Sequence, residues 1–202
     1  MKLAVVTAGT TSPSSTRLLA DRLAESVVRQ LGEEPEVHVV ELRDLAHDIA
    51  DNLVTGFPGP TLRAEIDAVT GADGLIAVTP IFTASYSGLF KSFFDVVGNT
   101  ALTGMPVLIG ATGGTPRHSL ALDHAVRPLF AYLRAMLAPT AVYAASEDWG
   151  GADAGALRDR IDRAAGELAG LMTGKPARHR PRDDFEDVVP FEEQLSALRR
   201  TS

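Results

Sequence analysis

The chain has 202 residues, a formal net charge of −7 and an apolar fraction of 45%. That size suits one domain with a substantial core, and the acidic balance excludes the basic face of a general nucleic-acid binder. There is no cysteine, which excludes disulfides, thiol redox chemistry, cysteine-ligated zinc and iron–sulfur clusters. The opening apolar run Met1–Val6 is too brief for a signal peptide. No segment approaches the roughly 18–20 apolar residues of a membrane helix, so a cytoplasmic protein is expected.

Leu3–Thr7 reads as a first buried strand, followed by a loop from Ala8 to Arg17. Leu18, Leu19, Leu23, Val27 and Leu31 then repeat at helical spacing, and Gly32 ends the pattern. Val37–Leu42 is a second strand. Residues 43–59 read as irregular, with Gly56-Phe57-Pro58-Gly59-Pro60 as a strong turn signal. Leu62–Val69 reads as a short helix closed by Gly71. Gly74–Val78 is a third strand; a loop from Thr79 to Gly88 follows, and a helix begins whose face is Leu89, Phe90, Phe93, Phe94 and Val97.

Met105–Ala111 is the fourth strand, with Pro106 tolerable only because it stands near the strand's start. A glycine-rich loop, Thr112–Pro116, leads to a helical pattern over 119–137, which Pro128 should kink or break. Pro139–Ala144 reads as the fifth strand and Ala154–Met172 as the last helix. Apolar strands that alternate with helices imply a parallel sheet covered on both faces, a doubly wound α/β domain. The composition changes at Gly174, so the chain divides into a domain over 1–173 and a charged, proline-containing tail over 174–202.

Loops that leave the carboxyl ends of buried parallel strands form the ligand-binding rim of such sheets. The first loop carries hydroxyls at Thr10, Ser12, Ser14, Ser15 and Thr16, with Arg17 beside them. It has neither a Walker lysine nor the G-x-G-x-x-G fingerprint. It therefore reads either as a phosphate loop of another kind or as an N-capping turn. In the second loop, Phe82 and Tyr86 offer ring faces or ordinary packing; in the third, Gly113 and Gly114 let backbone approach a flat ligand. The combination suits a flat, phosphorylated cofactor.

These motifs resemble the flavodoxin-like NAD(P)H-dependent FMN reductases, especially the reductase components of two-component flavin-dependent monooxygenases such as the alkanesulfonate system. The matching segments are Ala8–Arg17, Thr79–Gly88 with Lys91, and Ala111–Thr115 running on to His118 and Pro128. The resemblance implies a five-stranded parallel sheet in the order 2-1-3-4-5. It also implies that Ser12, Ser14, Ser15, Thr16 and Arg17 hold the FMN phosphate, with Thr10 in the same loop. Pro80, Ile81, Phe82, Thr83, Ser85 and Tyr86 would wrap the ring and ribityl chain, and Thr112, Gly113 and Gly114 would border the ring's polar edge. The family more often has Tyr where this chain has Phe82.

Monooxygenase-linked members can carry an extra aromatic residue that makes a π-bulge in the fourth helix at a subunit interface, and His124 occupies that place. The implied chemistry is hydride transfer from NADPH or NADH to FMN in a homodimer or homotetramer, with a flavin-dependent monooxygenase as possible partner and no metal. Arg117 and His118, at the pocket mouth, would meet nicotinamide phosphates. The alternatives are an FMN-bound quinone or azo-compound reductase and a flavodoxin-like electron carrier.

Overall fold

A computed structural model of the chain describes residues 1–150 and 154–174. In chain order the elements are β1 (Lys2–Thr7), α1 (Ser15–Leu31), β2 (Glu36–Glu41), α2 (Ala46–Thr55), α3 (Pro60–Thr70), β3 (Gly74–Phe82), β4 (Ser85–Tyr86), α4 (Gly88–Val96), β5 (Pro106–Gly113), α5 (Arg127–Tyr132), β6 (Met136–Leu137), β7 (Val142–Ala145) and α6 (Ala154–Met172). The strands form one parallel sheet in the order β2-β1-β3-β5-β6, with β7 also on β5 and the short β4 antiparallel to β3. The expected order 2-1-3-4-5 is therefore present. The reading of 174–202 as a tail lies, apart from Gly174, outside the described residues.

The sheet separates two cores, because successive side chains along a buried strand point to opposite faces. On one face Leu3, Val5, Ile76 and Leu108 pack against Leu19, Leu23 and Val27 of α1 and Leu157, Ile161 and Leu168 of α6. On the other, Ala4, Val6, Ala77 and Ile109 meet Ile49, Leu62, Ile66, Phe90, Phe94 and Phe130 from α2 to α5. Phe94 lies edge-on to Phe90 and to Phe130, each at 4.8 Å between ring centres, the geometry that aromatic quadrupoles favour.

Four readings need correction. Residues 43–59 are not irregular: a 3-10 turn, Leu42–Leu45, leads into α2, which ends at Gly56 with φ 80°. Its buried face is only Ile49 and Asn52, while Leu53 and Val54 face outward, 52% and 87% exposed; apolar residues on the wet side hide the helical period. The fifth strand is split. Pro139 has no N–H for the ladder, and both the N–H and the hydroxyl of Thr140 donate to the Glu167 carboxylate, at 2.6 and 2.8 Å. Pairing stops at β6 and resumes at β7.

The helix expected over 119–137 is a π-helical turn, Leu122–Val126, followed by the short α5, which ends before Arg134 at φ 58°. Helical backbone runs on from Ala121 through the π turn into α5, and Pro128 stands at the second residue of α5 without breaking it. Finally, the loop expected from Thr79 is strand for its first part. Thr79 and Pro80 stay in register with Ala111 and Thr112, and Ile81 and Phe82 fold back on Tyr86 and Ser85.

Candidate active site

Three segments meet at the carboxyl edge of the sheet, where β1, β3 and β5 end. The first is the loop after β1. Its helix is capped by Ser14, whose hydroxyl accepts the Arg17 backbone N–H at 3.2 Å, satisfying one of the four orphan donors of a helix start. Gly9 is required here: a Cβ would lie 2.1 Å from the Ser14 hydroxyl. Thr10, Ser12 and Ser15 are exposed and Thr16 is buried. The Ser12–Pro13 bond is cis.

Thr16 ties this loop to the third. Its hydroxyl lies 2.8 Å from that of Thr112, both side chains being buried. A bond across the rim in a dry setting fixes the start of α1 against the end of β5. Thr7 Oγ1, buried at the end of β1, has no partner among the described residues.

The third segment, Thr112–Thr115, is fastened from below by a residue that sequence reasoning missed. Tyr143, on β7, donates its hydroxyl to the Thr115 carbonyl at 2.8 Å. The same hydroxyl occupies the space beside Gly113, where a Cβ would approach it to 2.1 Å. Burial, aided by the charge of Asp148, pushes the Tyr143 phenol above its ordinary pKa. No local pattern announces this role; only the β5–β7 pairing of Ala111 with Tyr143 creates it. A Cβ on Gly114 would meet nothing, so this glycine leaves an open approach to the rim. Arg117 and His118 follow in an exposed 3-10 turn, Pro116–His118.

The second segment is a hairpin. Thr83 and Ala84, its two turn residues, have φ 49° and 69°, a turn that ordinarily recruits Asn and Gly. Phe82 is 49% exposed at its tip. The base is firmer: the Ser87 N–H donates to Thr79 Oγ1 at 3.1 Å, that hydroxyl donates to the Pro80 carbonyl at 3.0 Å, and Ser87 caps α4 through the Phe90 N–H at 3.2 Å. Ser85 and Tyr86 are half-buried, with Tyr86 6.1 Å from the ring of Phe90.

Arg17 is engaged by carboxylates. Its Nε donates to Asp21 at 2.7 Å and its Nη1 to Glu41. The hydrogen bond to Asp21, with the charges of Asp21 and Glu41, raises the guanidinium pKa against the effect of partial burial. Arg43 also reaches Glu41, at 3.1 Å, and donates to the Thr11 carbonyl of the loop at 3.3 Å. His124 lies in the π turn, where the Arg127 N–H reaches back to the Leu122 carbonyl. That turn flanks a groove of about 720 Å³ between α4 and α5, whose walls include Tyr86, Lys91, His124 and Tyr132.

The sheet order defines a flavodoxin-like α/β protein, and in such sheets the carboxyl ends of the central strands, where this rim lies, are where ligands bind. The chain belongs to the NADPH-dependent FMN reductase family, whose sequence profile matches residues 1–150. It is 36% identical over 178 residues to an FMN reductase (NADPH) of Pseudomonas aeruginosa, covering 86% of this chain and 94% of that protein. It is 38% identical over 149 residues to the NADH-dependent FMN reductase SfnF of Pseudomonas fluorescens, covering 74% and 79%. Among solved structures, an oxidoreductase from Corynebacterium diphtheriae superimposes with a TM-score of 0.83 at 46% identity, covering 86% of this chain and 97% of that one. The protein is an oxidoreductase that uses FMN and a nicotinamide donor. Among the described residues no helix is long and apolar enough to cross a membrane.

The rim fits that cofactor on its own chemistry. A capped helix start with exposed hydroxyls at Thr10, Ser12 and Ser15 supplies donors for a phosphate. The ring of Phe82 is exposed, and a Cβ on Gly114 would meet nothing, so the chain's own side chains fill neither position.

Proposed function

We propose that the first loop holds the phosphate of FMN and that the hairpin and the Thr112–Gly114 loop hold its ring while a nicotinamide delivers hydride. The observation that carries this reading is the Thr16–Thr112 bond, which joins phosphate loop and ring loop into one rim. Bound flavin supplies the hydride-accepting chemistry. The chain positions and shields. Thr10, Ser12, Ser15 and the backbone N–H groups at the start of α1 take the phosphate, and Ser14 acts by shaping that start. Phe82, Thr83 and Ser85 close over the ring, while Pro80, Ile81 and Tyr86 form the stem behind them. Gly113 and Gly114 let main chain reach the ring's polar edge, and Arg117 and His118 meet the phosphates of the nicotinamide nucleotide. No protein nucleophile or general base is assigned.

The reductase domain spans 1–173, works in the cytoplasm and supplies reduced flavin to a monooxygenase. It assembles as a homodimer or homotetramer through the π turn. In support, Tyr132 on the wall of the α4–α5 groove is 72% exposed, and Leu120, whose carbonyl accepts the His124 N–H, is 63% exposed; exposed apolar and aromatic side chains of this kind favour self-association.

The test is nicotinamide oxidation by purified protein with FMN, FAD or riboflavin added. Turnover that saturates with free FMN supports the reading. Turnover that requires a quinone and ignores added FMN would transfer it to the quinone reductases. Light scattering reads the assembly; a monomer at working concentration would sink the interface.

A further inference from the structure

Arg17 is the cation of the first loop, but its guanidinium is already shared between two carboxylates, Asp21 one turn along α1 and Glu41 at the end of β2. Glu41 lies opposite Thr7 in the β1–β2 register, directly beside the strand from which the loop departs. It also accepts from Arg43, which contacts Asp44 and holds the Thr11 carbonyl. The flank of the loop thus carries two guanidinium groups against three carboxylates. The other cationic side chain on the rim segments, Arg117, belongs to the far loop.

A phosphate in the first loop therefore meets hydroxyls and N–H groups, while Asp21 and Glu41 take the Nε–H and one Nη1–H of Arg17 and hold its side chain between α1 and β2. The donors form a rigid fork, so turning Arg17 toward the loop breaks its aligned charge-assisted bonds to both carboxylates. Asp21 bonds Arg17 along the same helix, whereas Glu41 stands opposite the end of β1 and is the more shielded of the two, its side chain 23% exposed against 41% for Asp21, so water screens it less.

We infer that Glu41, assisted by Asp21, sets the affinity of the first loop for the flavin phosphate by competing with it for Arg17. The inference rests on the proposed role of that loop. It makes Glu41 a specificity-determining residue without contact to the flavin: it weakens discrimination between a flavin that carries a phosphate and one that does not.

The experiment measures equilibrium binding of FMN and of riboflavin, by quenching of flavin fluorescence, to the wild type and to E41Q, D21N, R17A and R17A/E41Q. Glutamine keeps an acceptor for Arg43 and removes the charge. E41Q is expected to bind FMN about three- to tenfold more tightly, the size of one partly screened charge-assisted bond, with riboflavin unchanged. The gain should vanish on the R17A background. D21N should give a gain of the same kind, and it carries the test if E41Q does not fold. Unchanged or weaker FMN binding in the charge-neutralised variant would overturn the inference. So would an equal gain without Arg17, which would reveal long-range charge alone. Equal affinity of the wild type for FMN and riboflavin would instead overturn the phosphate role of the loop itself.

Discussion

The Thr112–Thr115 loop and the Ile81–Tyr86 hairpin line the same rim but are built in opposite ways. The loop is fastened from beneath, by Thr16 on one side and Tyr143 on the other, and its glycine at 113 is shaped around the tyrosine hydroxyl. The hairpin is fastened only along its stem, through Thr79 and Ser87, and its tip places two non-glycine residues at positive φ. Such strain persists where surroundings over-determine it and clusters at ligand sites. One wall of the rim is therefore set before any ligand arrives, whereas the other stores strain beside an exposed ring, Phe82.

The largest effect should follow from invading the fastened wall. In Gly113→Ala the new Cβ meets Tyr143 Oη at 2.1 Å and Cζ at 3.2 Å, overpacking of the kind that costs about 1–3 kcal/mol. A lower melting temperature and weaker FMN binding are expected. Gly113→Ala with Tyr143→Phe should recover part of both, because the closest atom is gone. If the single variant melts like the wild type, the wall is softer than the geometry implies.

Next in size is the buried hydroxyl pair. Thr112→Val strands the Thr16 hydroxyl in a dry site, at about 1–2 kcal/mol, and cuts the bond between the two loops. Thr16→Val with Thr112→Val replaces both polar groups by shape-matched apolar ones and should restore most of the stability. The FMN affinity should stay low, since the loops are no longer tied. Denaturant titration and flavin binding on the same preparations separate the two effects; a double variant that regains full affinity would refute the tie.

The hairpin should respond in the other direction. Ala84→Gly removes the Cβ that disfavours φ 69° and should stabilise the fold by about 1 kcal/mol, roughly 2–4 °C in melting temperature for a chain of this size. The same change loosens the tip, so KM for FMN should rise while the melting temperature rises. A variant that gains stability with no change in KM would show that the strained turn does not serve the rim.

The contrast also explains what could be read from the chain. Runs such as Leu3–Thr7 and Gly74–Val78 announce buried strands by composition alone, and the loops that leave them follow by topology. The resemblance located the π turn at His124, which periodicity over 119–137 had smoothed into a helix. What stayed hidden depends on distant partners. Tyr143 acts on a carbonyl 28 residues away, and Thr140 breaks its strand because Glu167 captures it. Nor does the hydroxyl-rich loop disclose that Ser14 and Thr16 spend their hydroxyls on structure, leaving Thr10, Ser12 and Ser15 exposed.

The smallest effect lies with Tyr143 itself and emerges only in alkali. Burial and the nearby Asp148 raise its phenol pKa in the fold, so folding favours the neutral, hydrogen-donating form. The stability this contributes is fully present below the unfolded phenol pKa of about 10 and is lost as pH rises through the higher folded value. The phenolate could no longer donate to the Thr115 carbonyl, and its charge would be buried beside an acceptor. Denaturant midpoints of wild type and Tyr143→Phe should therefore converge as pH climbs from about 9 to 11, the wild type losing the advantage of its hydroxyl. Parallel curves over that range would mean that the bond to Thr115 contributes nothing to holding the wall.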